Sequence, residues 1–349
     1  MPLERLYLDH AATTPLHPAA LEAVQAGFGM WANPSSPHNQ GRAARAALEL
    51  ARVRIAGALG WDGAVIFTSG ASEALALAIT HCVQPLVAVS AVEHDAVLRH
   101  ADGIDRIAVN AMGRVDVDAV ARGGLVAVQQ VNSETGVTQP LRRIGIAVHE
   151  AGGLLLADCA QGAGKVGLPD ADLAVIAAHK FGGPVGIGAL LVRDLKMLRP
   201  GGGQERGYRA GTENLPGVLG MAAALEAGNI WMESASRLRL LLEQGITEAG
   251  GEVVAGGGER IATIGSYRMP GVSSAVQLIR FDGEGIAVSA GSACSSGSLR
   301  PSHVLKAMGM DDKAASEVIR VSIGRETSEA DVRRFIAVWR EIAAARTMT

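Results

Sequence analysis

Asp158 closes an apolar run, Leu154-Leu155-Leu156-Ala157, and Lys180 follows a second one, Leu173-Ala174-Val175-Ile176, after Ala177-Ala178-His179. A carboxylate at the end of a buried strand is costly unless a cation meets it. An amine set between His179 and the turn Phe181-Gly182-Gly183-Pro184 packs poorly, but is a candidate Schiff-base nucleophile because desolvation loosens its proton. Each residue taken singly has an ordinary alternative: Asp158 as a turn or capping group, Lys180 as a solvated surface lysine. Gln161 lies three positions beyond Asp158 on the same connection. Cys294 sits in Ser289-Ala290-Gly291-Ser292-Ala293-Cys294-Ser295-Ser296-Gly297-Ser298, residues too small to pack a core, so an exposed thiol there is a candidate nucleophile. Cys82 reads as a small buried hydrophobe and Cys159 as structural.

Three glycine-containing segments bear on anion binding. Thr68-Ser69-Gly70-Ala71-Ser72 stands between a strand and a helix, where free N–H groups and hydroxyls converge as a phosphate requires. Its plain alternative is a helix capped by Ser69 or Ser72. Gly162-Ala163-Gly164-Lys165-Val166-Gly167 matches the spacing of a dinucleotide fingerprint, but Leu168-Pro169-Asp170 follows where a helix is needed, so it reads as a connection. Gly201 to Asn214 is too rich in glycine and charge for a core element; a loose surface loop explains its glycines but not Arg206, Arg209 and Thr212 ahead of a helix.

The elements that must carry these residues follow from periodicity. From about 17 to 250, helical patterns alternate with short apolar, β-branched runs, predicting βαβ units around a mainly parallel sheet. Strands are expected at 64–68, 86–89, 106–109, 125–131, 154–158, 173–177 and 187–192, and helices over 43–58, from the 69–73 turn to about 81, 215–231 and 236–249. The glycine-rich 250–258 segment breaks that rhythm. It predicts a large domain over 13–249 and a smaller α+β domain from 1–12 and 250–349, with a strand at 318–323 and a closing helix at 328–345. A length of 349 residues suits that division. With 32 Lys+Arg against 35 Asp+Glu, a formal charge of −3 and no block of like charges, the composition excludes an electrostatic binder of nucleic acid or anionic membrane. The 48% hydrophobic content excludes a disordered chain, and no apolar run approaches the ~20 residues of a membrane span. Met1-Pro2-Leu3-Glu4-Arg5 has no signal-peptide character, and cysteines at 82, 159 and 294 form neither a disulfide framework nor a zinc spacing, which predicts a reducing, cytoplasmic setting.

In order along the chain, these segments resemble the cysteine desulfurases of the NifS/IscS type. The resemblance rests on Leu8-Asp9-His10-Ala11-Ala12-Thr13-Thr14-Pro15, Asn33-Pro34-Ser35-Ser36-Pro37-His38 with Gly41, the 69–73 turn, Glu93-His94 and Asn132-Ser133-Glu134-Thr135-Gly136. It continues through Asp158 to Gln161, His179-Lys180, the 201–214 run, Gly291-Ser292-Ala293-Cys294 and Ile319-Arg320-Val321-Ser322. It implies an α/β pyridoxal-phosphate-dependent transferase of fold type I, with a mainly parallel seven-stranded sheet in the large domain and a smaller α+β domain.

The resemblance also implies roles. Lys180 would hold pyridoxal 5'-phosphate covalently, Asp158 pair with its ring nitrogen, Gln161 bond its ring hydroxyl and His94 stack on its face. Ala71, Ser72 and His179 would contact the phosphate, joined by Thr212 from the second subunit of a homodimer. Arg320 would take the carboxylate of L-cysteine, and Cys294 would take its sulfur as a persulfide for a sulfur-acceptor protein in iron–sulfur assembly or thiolation, leaving L-alanine. No intrinsic metal site is implied; the Cys294 persulfide would at most meet an iron–sulfur cluster in passing. The chain departs from the family at Ser133, where a second asparagine is common, and at Ala177, where a phosphate-binding serine is usual. Three alternatives compete: a class V aminotransferase, which has no use for the thiol of Cys294; a selenocysteine lyase, whose substrate differs by one atom; and a non-catalytic scaffold, against which the joint presence of Lys180, Asp158, His94, Arg320 and Cys294 argues.

Overall fold

Short runs of valine, leucine, isoleucine and alanine pair into one large sheet in the computed structural model of this protein, which describes residues 5–120, 122–291 and 302–345. The first half of the chain forms β1 (Leu6–Tyr7), α1 (Pro18–Gly29), α2 (Asn39–Leu59), β2 (Ala64–Thr68), α3 (Ala71–His81), β3 (Leu86–Ser90), α4 (Asp95–Leu98), β4 (Asp105–Ile107), β5 (Leu125–Gln129), α5 (Leu141–Glu150), β6 (Leu154–Asp158) and β7 (Leu173–Ala177). There follow β8 (Gly188–Val192), α6 (Leu215–Glu226), α7 (Met232–Glu248), β9 (Glu252–Val253), β10 (Ile264–Arg268), α8 (Ser274–Gly283), β11 (Ile286–Ala287), α9 (His303–Ala307), α10 (Asp312–Ser316), β12 (Val318–Ser322) and α11 (Glu329–Ala345).

The large sheet has seven strands in the order β2-β8-β7-β6-β5-β3-β4; β8 runs antiparallel to both neighbours and the other pairs are parallel. Val65, Phe67, Leu155, Ala157, Ala174 and Ile176 join the core with α1, α2, α5 and α6, while Ile66, Leu156, Leu173 and Val175 join the core with α3 and α4. Both faces are thus covered, which is why these strands read as continuous apolar runs rather than alternating ones.

A second core belongs to the C-terminal third. β10 lies between β9 and β12, both antiparallel to it, and α8 and α11 pack there with Phe281 and Phe335 stacked 4.7 Å apart beside Trp339. Leu6 and Leu8 enter the same core, and so does the buried face of α7: Ala235, Leu238, Leu242 and Ile246. The boundary expected after residue 249 therefore separates α7 from the side chains it packs against, and we propose that the smaller unit takes in α7.

Local differences from the sequence reading have local causes. The helix expected over 215–231 stops at Glu226, because Gly228 takes a left-handed φ of +71° and turns the chain. Neither Ser69 nor Ser72 caps α3; its N-cap is Gly70, at φ 152°, and no side chain among the described residues caps its start. The 162–167 segment is turn, as the proline-bearing sequence after it requires. Cys82 and Cys159 are buried, and burial pushes both thiols up from their ordinary range.

The N-terminal segment reaches across to β12. Asp9 bridges Ser322 in parallel, Ser322 N–H donates to the Leu8 carbonyl at 2.8 Å, and Ala11 N–H donates to Ser322 Oγ at 2.9 Å. That clamp holds Ala11 and Ala12 beside the C-terminal ends of the large sheet's parallel strands, where open α/β sheets place their ligands.

Candidate active site

A cavity of about 430 Å³ opens at those strand ends. It is lined by Ala71, Ser72, His94, Ser133, Asp158, Gln161, Ala177, His179, Lys180 and Arg320, among others. Every residue to which the resemblance gives a role lines it except two. Thr212 is exposed and is not among the residues lining the cavity of its own chain, and Cys294 lies outside the described residues.

Lys180 ends a single 3-10 turn after β7, and its Nζ donates to the carbonyls of Ala11 at 2.8 Å and Ala12 at 2.7 Å. Asp158, the last residue of β6, accepts the Ala160 N–H at 2.9 Å. Burial pushes its carboxyl above the ordinary range, opposed by that hydrogen bond and by the charges of His94 and Lys180. Gln161 spends its Nε2 on the Ala11 carbonyl at 2.8 Å and leaves a buried Oε1 with no hydrogen-bond partner among the described residues. A buried acceptor left unmet is costly, and marks a place where a ligand donor belongs.

His94 caps α4: its Nδ1 accepts the Ala96 N–H at 3.1 Å, which fixes the ring and leaves the exchangeable proton to Nε2. His179 meets Thr13 Oγ1 at 3.2 Å and is pushed down to about 4, first by burial and then by Lys180 and Lys165, so its imidazole is neutral at neutral pH. Beside it, α3 begins with Gly70, Ala71 and Ser72 on the cavity wall. The uncapped helix start and a position open enough to need glycine's φ make an anion cradle.

Arg320, on β12, is 4% exposed. Its Nη2 donates to Asp9 Oδ1 at 2.7 Å and its Nη1 to the Ser133 carbonyl at 3.0 Å, while Nε is buried with no partner among the described residues. On either side of residues 292–301, Ser289 exchanges two backbone hydrogen bonds with Arg320, at 3.2 and 2.7 Å, and Ser302 Oγ donates to Glu134 Oε2 at 2.5 Å. The 201–214 segment is not loose. Glu205 pairs with Arg52 at 2.7 Å and Arg209 with Glu73 at 2.8 Å, tying it to α2 and to the first turn of α3.

Sequence reasoning missed three ionisable groups here, Glu93 and Lys165 buried and Asp9 half-buried. Asp9 belongs to the quoted 8–15 segment, but nothing in its surroundings predicted Arg320 as its partner. Glu93 accepts the Gln129 N–H at 2.7 Å and is pushed up to about 8, chiefly by burial. Lys165, in the connection after β6, is 5% exposed and is pushed down to about 7 by burial and by Lys180.

The sequence profile described as aminotransferase class-V matches residues 6–335. The chain is 37% identical to a cysteine desulfurase of Gluconacetobacter diazotrophicus over 376 aligned positions, covering 98% of this chain and 94% of that one. It is 37% identical to a cysteine desulfurase of Klebsiella pneumoniae, covering 96% and 92%. Among solved structures, the NifS-like protein of Rickettsia africae superposes with a TM-score of 0.90 at 29% identity over 98% of this chain and all of that one. DndA of Streptomyces lividans superposes with a TM-score of 0.74 at 31% identity, covering 90% and 99%. The strand order, with the Asp158–Lys180 site at the strand ends, is that of a fold type I enzyme of a pyridoxal-phosphate-dependent family. Within the class-V aminotransferases, the chain belongs to the cysteine desulfurases.

Proposed function

We propose that the chain transfers the sulfur of L-cysteine to Cys294 and releases L-alanine, using pyridoxal 5'-phosphate held in the 430 Å³ cavity. The observation that carries this reading is that one cavity gathers Asp158, Gln161, His94, His179, Lys180 and Arg320 from separate segments of the chain. The residues fit the cofactor. Asp158 is a buried carboxylate that a ring N–H would satisfy, Gln161 Oε1 is a buried acceptor for a ring hydroxyl, and the start of α3 is an open, uncapped cradle for a phosphate. Ala71, Ser72 and His179 hold the phosphate in this reading, with Ser133 at the ring; Ala177 takes no polar part because its side chain has nothing to donate.

Bound there, pyridoxal phosphate supplies an electron sink for the charge left at the substrate's Cα. The protein does the rest. Lys180 Nζ is the group that would hold the cofactor, and its amine would accept and return the proton of the substrate's Cα. Its two carbonyl partners, Ala11 and Ala12, keep the amine beside the cavity meanwhile. His94, its ring fixed by the Ala96 N–H, presents a flat wall to the cofactor and an Nε2 proton to the substrate. Arg320 takes the substrate carboxylate, which satisfies the buried Nε. The thiolate of Cys294 then bonds to the substrate sulfur as the Cβ–S bond breaks, and the three-carbon remainder is protonated and leaves as alanine.

Thr212, exposed and not part of the lining of its own chain's cavity, serves the phosphate of the second subunit in a homodimer in this reading. Cys294 must remain a reduced thiol between turnovers, which places the enzyme in the cytoplasm and calls for a protein acceptor of the persulfide. The test is alanine formation from L-cysteine by the cofactor-loaded protein and by Cys294→Ala, with reductant present. Alanine from the wild type and none from the variant is expected. Alanine from both would remove Cys294 from the reaction, and alanine from neither would overturn the reading.

A further inference from the structure

Arg320 is fixed before any substrate arrives. Its Nη2 is bonded to Asp9 Oδ1 and its Nη1 to the Ser133 carbonyl, so the guanidinium plane is set from two sides, and the unmet Nε stays buried. Ser133 and Arg320 line the cavity, whereas Asp9 stands behind Arg320 and does not. The charges around the cavity are also balanced in advance. Glu73 faces Arg209 at 2.8 Å, Arg320 faces Asp9 at 2.7 Å, and the charge of Lys180 acts on Asp158. A carboxylate docking on Arg320 becomes the second anion on one cation. A further carboxylate on the same ligand finds no second arginine among the described residues of the cavity lining and meets the fields of Asp9 and Asp158.

We infer that Asp9 is the positioning residue of Arg320 and restricts the site to amino acids that carry a single carboxylate. The inference rests on the reading of Arg320 as the carboxylate-binding group. Specificity here comes from a built-in repulsion rather than from an added contact. Positioning and charge are separable, because asparagine keeps an oxygen acceptor at the Oδ1 position and loses only the charge, whereas alanine loses both.

The experiment uses the cofactor-loaded enzyme as wild type, Asp9→Asn, Asp9→Ala and Asp9→Glu, with thermal unfolding confirming that each is folded. Binding of L-alanine and L-aspartate is measured by calorimetric titration, and kcat and KM are measured for L-cysteine. In Asp9→Asn the affinity for L-aspartate relative to L-alanine is expected to rise about tenfold. In Asp9→Ala the KM for L-cysteine is expected to rise about tenfold with kcat within about twofold, as loss of ground-state positioning requires. Asp9→Glu, which keeps charge and acceptor, is expected to hold the wild-type aspartate-to-alanine ratio. An unchanged ratio in Asp9→Asn, or identical behaviour of the asparagine and alanine variants, overturns the inference. Wild-type failure to form alanine from L-cysteine counts against the proposed function instead, and failure of every form to bind either amino acid overturns both.

Discussion

Arg52 with Glu205 and Arg320 with Asp9 are both ion pairs at 2.7 Å, the first buried and the second with Asp9 20% exposed, and they differ in what they leave over. Around Arg52 nothing is left. Nη1 bonds Glu205 and the Val65 carbonyl, Nη2 bonds the other Glu205 oxygen, Nε bonds Glu49, and the guanidinium lies 4.4 Å over the Phe67 ring. Glu205 also accepts the Phe67 N–H at 2.8 Å. Around Arg320 the set is incomplete, with Nε buried and unmet at the cavity wall. A closed network holds the 201–214 segment to α2 and β2; an open one holds the Arg320 guanidinium at the cavity wall with a donor unmet among the described residues. The difference teaches that two arginine–carboxylate pairs of equal length can differ in what they leave open: the guanidinium at the cavity wall keeps an unmet donor among the described residues, and the one under the 201–214 segment does not.

The sharpest way to break that distinction is to remove each arginine. Arg320→Ala is expected to lower kcat/KM for L-cysteine by about 1000-fold and to cost less stability than Arg52→Ala, because the Asp9 side chain it strands is 20% exposed and can be solvated. Arg52→Ala is expected to lower stability by about 3–5 kcal/mol, because it strands the buried Glu205 carboxylate, while the folded fraction keeps its activity. Chemical denaturation and steady-state assays of both variants decide it; equal loss in both readouts for both variants would erase the distinction.

Lys165 extends the comparison to a group with no carboxylate within ion-pair distance among the described residues. Its folded pKa of about 7 lies below the ordinary lysine value of about 10.4, so between those values the unfolded chain binds the extra proton. Stability should therefore rise with pH across that window and be lost as pH falls through 7. Lys165→Met should flatten the rise by about 3 kcal/mol, read from denaturation at pH 7 and pH 10.

Gly70 tests the open helix start. An alanine there must adopt a φ that only glycine takes easily, and Gly70→Ala should cost about 1–3 kcal/mol and weaken cofactor retention during dialysis. The smallest effect belongs to the exposed pair Arg237–Glu233, 67% and 83% exposed. Arg237→Ala should change stability by less than about 0.5 kcal/mol, which sets the floor for the series.

Much of the site was legible because parallel strands buried on both faces announce their own ends. β6 and β7 match the expected 154–158 and 173–177 spans residue for residue, and Asp158 and Lys180 stand out where the apolar runs stop. The helix start at 71 was legible, but its cap was not. Ser69 and Ser72 are both good capping residues by type, and only the path of the chain through Gly70 turns the choice away from them. The amphipathic pattern of α7 shows that one face is buried. It does not say against what, and the helix proved to pack on the C-terminal core.

Sequence alone determined the local chemistry: which strands are buried, where β2, β6 and β7 begin and stop, and which ionisable residues follow β6 and β7, whereas the expected 106–109 and 125–131 strands end early, at 107 and 129. The intrinsic cost of a buried charge is a property of residue and strand together, and both are written within a few positions of each other. Only the tertiary structure decided which charges meet. Asp9 and Arg320 are 311 residues apart, brought together because the N-terminal segment pairs with β12 at Ser322. Glu205 meets Arg52 across 153 residues for the same kind of reason. Coulomb forces and hydrogen bonds act over a few ångströms, so their partners are fixed by how the strands and helices pack.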